Sequence, residues 1–223
     1  MKETRFYEIY ERRLGRHTRI YTKALIPKNV YGENTYKEHG ELFREWDAKR
    51  SKISAAIHKG LTQLGLAPGQ VVLYLGASTG TTVSHVSDIV GKDGMVFALD
   101  FAPATTRQLV FLAKDRVNVA PILADANQPD TYKDFIPEQV DWIFQDVAQR
   151  NQVDIFVKNV MKYLKPGNLC AVAIKARSID VAKPPKLIFQ LVRKQLEEHL
   201  TITDFRTLDP FEMDHAFFTC KLK

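Results

Sequence analysis

From residue 51 onward, short unbroken apolar runs alternate with stripes that recur every three to four positions. The runs at 71–75, 95–100, 119–124, 142–145 and 169–175 are rich in Val, Ile, Leu and Phe. Runs of that length and composition predict strands buried on both faces. The stripes predict helices. Ile53, Ile57, Leu61 and Leu64 share one helical face, with Ser51 as N-cap and Gly65 with the following Ala-Pro-Gly-Gln as the stop. Further helices are predicted at 82–90, closed by Gly91, and at 105–114, with Pro103 near its start. Two more fall at 153–164, stopped by Lys-Pro-Gly, and at 187–199. Two last strands, at 201–208 and 216–222, flank the segment DPFEMDH and predict an antiparallel edge. Strands alternating with helices imply a parallel sheet covered on both faces. The expected fold is therefore α/β: a Rossmann-like sheet of seven strands, five parallel and the last hairpin antiparallel.

Residues 1–50 have a different rhythm. RFYEIYERR and HTRIYTKAL read as short alternating segments broken by turn residues, which predicts a small N-terminal β domain. The expected organisation is 1–50 for that domain and 51–223 for the large one. A chain of 223 residues accommodates both.

In open α/β sheets ligands bind beyond the carboxyl ends of the strands, so the last residue of each run is the one to read. The first run leads into LGASTGTT. Gly76 and Gly80 let the backbone turn sharply before a helix N-terminus. The spacing is not the G-x-G-x-x-G of a dinucleotide site, and no Lys precedes the Thr pair as a phosphate loop requires. The second run ends in Asp100, an acceptor for both hydroxyls of a ribose. The third leads to Asp125, placed to meet an adenine amino group. The fourth ends beside Asp146, at the mouth of the crevice. Three acids at consecutive strand ends beside a phosphate-free glycine turn describe a pocket for S-adenosylmethionine (SAM).

The fifth run ends in Lys175, expected near Asp146 across the sheet top, and Lys52 opens the preceding helix. A Lys–Asp–Lys cluster suits methylation of a weakly acidic hydroxyl. Lys175 can serve as base or as a cation for the developing alkoxide, with Asp146 orienting its ammonium.

The segments YLGASTGTTVSHVSDIV, ALDFAP, LADANQP, DWIFQDVAQRNQ, AVAIKARSID, RSKISAAIHKG and DHAFFTCKL resemble the fibrillarin family of SAM-dependent RNA 2′-O-methyltransferases, over essentially the whole chain. The resemblance implies that Gly76, Ala77, Ser78, Thr79, Gly80, Thr81 and Thr82 hold the cofactor, together with Asp100, Phe101, Asp125, Ala126, Asp146 and Gln149. Asp146, Lys175 and Lys52 form the implied catalytic core, with Asp214 and His215 as a further element. It implies work within a box C/D ribonucleoprotein, where a guide RNA selects the target nucleotide in rRNA or tRNA. A Nop-domain scaffold protein and a kink-turn-binding ribosomal-type protein are the implied protein partners. The chain lacks the glycine- and arginine-rich N-terminal region of eukaryotic members, so an archaeal form and a cytoplasmic location are expected. Asp100 stands where the family more often has Glu.

Arg177, Lys183, Lys186, Arg193 and Lys194 follow the fifth strand and are candidates to track an RNA backbone. No aromatic stacking platform is evident beside them. A net charge of +6 and a pI near 9.2 suit a polyanionic partner without requiring one. Cys170 and Cys220 lie in apolar runs and predict reduced, buried thiols. No signal-peptide or membrane-spanning run is present, so a soluble intracellular protein is expected, with no membrane partner and no metal. Two other readings stay open: a small-molecule O-methyltransferase of the same fold, and a non-catalytic SAM-binding subunit.

Overall fold

The computed structural model describes residues 1–15 and 17–223. The N-terminal strands β1 (Lys2–Glu3), β2 (Ile9–Leu14), β3 (His17–Lys23), β4 (Thr35–Glu38) and β5 (Glu41–Glu45) form one sheet in the order β1-β2-β3-β5-β4. Every pair in it is antiparallel. Helix α1 (Lys52–His58) follows and leads to the large sheet.

Strands β6 (Val71–Leu75), β7 (Met95–Asp100), β8 (Val119–Leu123), β9 (Trp142–Gln145) and β10 (Leu169–Lys175) are parallel. The hairpin β11 (Leu200–Thr207) and β12 (His215–Leu222) completes the order β11-β12-β10-β9-β6-β7-β8, with β12 antiparallel to both neighbours. Helices α2 (Thr81–Val90) and α3 (Pro103–Asp115) pack with α1 and the small sheet on one face. Helices α4 (Gln152–Tyr163) and α6 (Pro185–His199) cover the other. Each central strand sends alternate side chains to the two faces: Val72 and Tyr74 to the first, Leu73 and Leu75 to the second. That is why these strands read as continuous apolar runs.

The sequence placed most elements within a few residues. It extended the first helix too far. That helix stops at His58, because Gly60 takes φ +81° and the N–H groups of Gly60 and Leu61 return to Ile57 O and Ala56 O, at 2.9 and 3.0 Å. This paired closure is a Schellman motif, which needs a residue with positive φ just past the cap. Leu61 and Leu64 are buried in the same core anyway, from an extended segment, so their spacing mimicked a helical stripe. Ser51 does occupy the N-cap, but its side chain makes no capping bond; its Oγ accepts from Thr82 Oγ1 at 3.1 Å. Two short elements went unforeseen, a 3-10 helix at Pro129–Phe135 and α5 (Ala176–Ile179), which begins directly at the end of β10.

The small sheet shares its core with the large domain through Phe6, Ile9, Ile20 and Trp46. A buried polar lock reinforces the contact. Arg44, fully buried, donates to Glu33 at 2.6 Å and to Asp88 of α2 at 2.7 Å. Asp88 also accepts from Arg116 at 2.7 Å and from Thr22 at 2.9 Å. His85 joins Thr22 and Tyr31 through its two ring nitrogens, at 2.8 and 2.6 Å.

Candidate active site

Strand β6 is where the order reverses: the chain goes on to β7 and β8 on one side, then crosses to β9 on the other. Such a switch point opens a crevice at the carboxyl ends. Gly76, the first residue past β6, has φ +80°, and its N–H and that of Ala77 both reach Leu99 O, at 2.9 and 3.0 Å. A Cβ at Gly76 would stand 2.3 Å from Asp146 O, so only glycine lets this turn lie against the end of β9. Ser78 takes φ +50° and donates its N–H to Asp100 Oδ2 at 2.7 Å. Gly80 caps α2 with φ +93°, where a Cβ would meet Leu112 at 2.6 Å. Thr81 and Thr82 form the first turn of α2, and Thr79 borders a cavity beneath the turn that Lys28 and Arg116 also line.

Asp100 is buried, and its carboxylate already holds three donors: Ser78 N–H, Ala102 N–H at 3.0 Å and Thr105 Oγ1 at 2.8 Å. A carboxylate offers about four acceptor positions, so roughly one is left for a ribose hydroxyl. The expectation that Asp100 receives both hydroxyls is thereby narrowed; its first task is to fix the glycine turn. Phe101 beside it is 68% exposed, a free aromatic face at the crevice. Asp125 accepts the Asn127 N–H at 2.9 Å through one oxygen, and Ala126 is buried behind it. Gln149 is half-buried.

Residues 144, 171, 173 and 217 all face the side of the sheet that carries α1. By alternation Asp146, Lys175 and His215 continue on that same face. Lys52 reaches it from α1, with Nζ 3.1 Å from Asp146 Oδ2 and 3.9 Å from Glu212 Oε1. Burial alone would pull the Lys52 ammonium down, but Asp146 and Glu212 outweigh it and hold the pKa above its ordinary value. The sequence had Asp146 orienting Lys175; the partner is Lys52 instead, because α1 brings its first residue directly over the end of β9. Lys175 is exposed and has no ion-pair partner among the described residues. His215 lies opposite Lys175 in the β10–β12 register, and its Nδ1 donates to Met213 O at 2.7 Å. A carbonyl only accepts, so Nε2 is the free nitrogen.

Asp214 faces away from the cluster's needs: it accepts from Arg177 Nε at 3.0 Å. Arg177 is further tied to Val181 O at 2.7 Å, and Lys183 pairs with Asp180 at 3.4 Å. Of the candidate RNA contacts, Lys186 stands exposed on the first turn of α6 with no partner among the described residues.

Three residues escaped the sequence. Glu212 is the second carboxylate on Lys52. Tyr74 is buried under the cluster, its hydroxyl held far above its usual pKa by burial and then by Asp146. Gln152, fully buried, accepts from Lys175 N–H at 3.1 Å and donates to Lys175 O at 3.2 Å and Gln149 O at 3.0 Å. It binds the 146–149 loop to the end of β10. A glutamine at the first position of a helix carries no signal of such a role.

The donor set fits SAM. The turn from Gly76 to Thr82 contains no cation for a phosphate, while acids stand at the ends of β7, β8 and β9 and an exposed aromatic side chain follows Asp100. Among the described residues, no three His, Cys, Asp or Glu side chains gather as metal ligands would.

Known proteins place this geometry. The chain is 45% identical over 204 residues to a fibrillarin-like rRNA/tRNA 2′-O-methyltransferase of Pyrococcus abyssi, covering 91% of this chain and 89% of the relative. An Aeropyrum pernix fibrillarin solved with natively bound S-adenosyl-L-methionine superposes with a TM-score of 0.90 at 42% identity, covering 98% of this chain and 96% of that one. A chain of a fibrillarin/Nop5p complex superposes with a TM-score of 0.82 at 37% identity, covering 92% and 94%. The family model described as Fibrillarin matches residues 1–223, and this chain belongs to that family.

Proposed function

We propose that the chain transfers a methyl group from SAM to the ribose 2′-hydroxyl of nucleotides in rRNA and tRNA, as the catalytic subunit of a box C/D ribonucleoprotein. The carrying observation is the convergence of Lys52, Asp146 and Lys175 on one sheet face beside the glycine turn. SAM supplies an electrophilic sulfonium methyl. The segment Gly76–Thr82, with Asp100, Phe101, Asp125, Ala126 and Gln149, would hold it beside Asp146.

The residues divide the remaining work. Lys52 stays charged, because its two carboxylates hold its proton. It is the fixed cation that faces the developing alkoxide. Asp146 anchors Lys52 at the edge where the hydroxyl enters. Lys175, exposed and without a carboxylate partner among the described residues, meets the hydroxyl as its base or as a cation for the developing alkoxide. In-line attack then rests on positioning. His215, with Nε2 free, borders the same space.

The guide RNA selects the nucleotide, a Nop-domain scaffold positions the enzyme, and a kink-turn-binding ribosomal-type protein completes the assembly. On the same reading the chain works in the cytoplasm. Methyl transfer from labelled SAM to a target RNA, with and without guide RNA and the two partner proteins, tests this. Label at one guide-specified 2′-oxygen, only in the complete mixture, is expected. SAM binding with no transfer to RNA in any mixture would overturn it.

A further inference from the structure

A cavity of about 410 Å³ opens between α6 and the end of β11. Its walls are Phe189 and Phe205, whose ring centroids lie 6.3 Å apart in an edge-to-face arrangement. The Arg193 guanidinium lies 5.3 Å from the centre of the Phe205 ring. Lys186, Gln190, Thr207 and Asp209 complete the rim. Strand β11 runs parallel to β10, and both Thr207 and Ile174 pair with Ala216 of β12. Along the sheet the cavity mouth is therefore level with the end of β10, two strand spacings or about 10 Å away, on the α6 face and opposite to the α1 face that carries Lys175. Asp209 joins the two places physically, since its Oδ1 accepts the N–H of Asp214, next to His215.

We infer that this cavity is a second RNA site, holding one unstacked nucleobase of the RNA engaged at the catalytic edge. The inference rests on the RNA reading above. Three features select the occupant. A base needs an aromatic wall and an apolar slot, and Phe189, Phe205 and the Arg193 plane supply them. Its edge needs donors and acceptors, and Gln190, Thr207 and Asp209 supply both. Its phosphate needs a cation, and Lys186 is exposed with no carboxylate partner among the described residues. The site opens at the same end of the sheet as the catalytic cluster, on the opposite face, within reach of an RNA strand that crosses that end. The aromatic platform missing from the sequence is thus built from two separate elements, a helix and a strand.

The test uses the assembled complex of this chain, guide RNA, target RNA and both partner proteins. Single 5-iodouridines are placed in turn along target and guide near the methylated ribose and irradiated. A crosslink from one position to the peptide carrying Phe189 or Phe205 is expected. Thr207→Trp fills the mouth from an exposed position without removing a core side chain. It should abolish that crosslink and raise the RNA concentration for half-maximal transfer by roughly 5- to 150-fold, the range of one stacked base. SAM affinity and maximal rate should stay unchanged, and Lys186→Glu should shift the same RNA dependence in the same direction. Crosslinks confined to other peptides would overturn the inference, as would unaltered RNA dependence in Thr207→Trp. Capture of the scaffold protein by a photoreactive group at Gln190 would also overturn it, assigning the cavity to a protein. A wild-type complex that methylates no RNA would strike the function reading instead, which keeps the two failures distinct.

Discussion

Lys52 and Lys175 occupy one face of the sheet yet differ in company. Lys52 sits between Asp146 and Glu212, while Lys175 has neither. That difference fixes the first ammonium between two carboxylates and leaves the second to meet the incoming hydroxyl. Lys175→Ala should lower the rate of methyl transfer by about 10² to 10⁴, the usual worth of a group that assists proton transfer in the transition state, and leave SAM affinity unchanged. Single-turnover transfer and equilibrium SAM binding measured on one preparation decide it. A near-normal rate would remove Lys175 from the chemistry. The sequence identified both lysines and Asp146 from strand ends and a helix start. It mispaired them, because which lysine meets a carboxylate depends on how α1 lies across the sheet, and spacing along the chain does not encode that.

Helix α4 and strand β10 meet the active loop through Gln152. One buried side chain satisfies both backbone groups of Lys175 and the carbonyl of Gln149. Removing it leaves buried donors and acceptors without partners, at a cost of about 1–3 kcal/mol. It also frees Lys175 and the loop to shift relative to each other. Gln152→Ala should therefore lower the maximal rate by about 10²-fold, more than its effect on SAM affinity, since small displacements of reacting groups are costly. Gln152→Glu keeps the acceptor for Lys175 N–H and should lose less. Equal loss in the two variants, or a loss in SAM affinity alone, would assign Gln152 a purely structural role. Most elements were legible in advance, because strands buried on both faces are continuous apolar runs. The first helix was not, since Leu61 and Leu64 reach the core from an extended segment beyond Gly60.

The two sheets are joined through a polar lock whose charges make stability depend on pH in a definite direction. His85 is fully buried, and burial first, then Arg44 and Arg116, keep its pKa well below the ordinary 6.5. The unfolded chain takes up that proton as pH falls through 6.5 while the folded chain does not, so stability falls with pH below that point. One such proton is worth up to about 1.4 kcal/mol per pH unit. Glu33 adds a second decline. Burial works against its charge, but the Tyr31 N–H and then Arg44 prevail and lower its pKa, so its contribution is lost as pH falls below the ordinary 4.5. Urea unfolding between pH 7 and 5 should show the first slope in the wild type and a flatter one in His85→Gln. A flat wild-type profile over that window would exclude His85 as its source. What the sequence alone determined was the α/β alternation, the glycine turn and the acids and lysines at strand ends, because local periodicity and turn chemistry are written in neighbouring residues. Only the tertiary structure decided the Lys52–Asp146 pair, the Gln152 bridge, the Arg44–Asp88 lock and the Phe189–Phe205 cavity. Each joins side chains from separate elements, and their meeting depends on how helices and sheets pack.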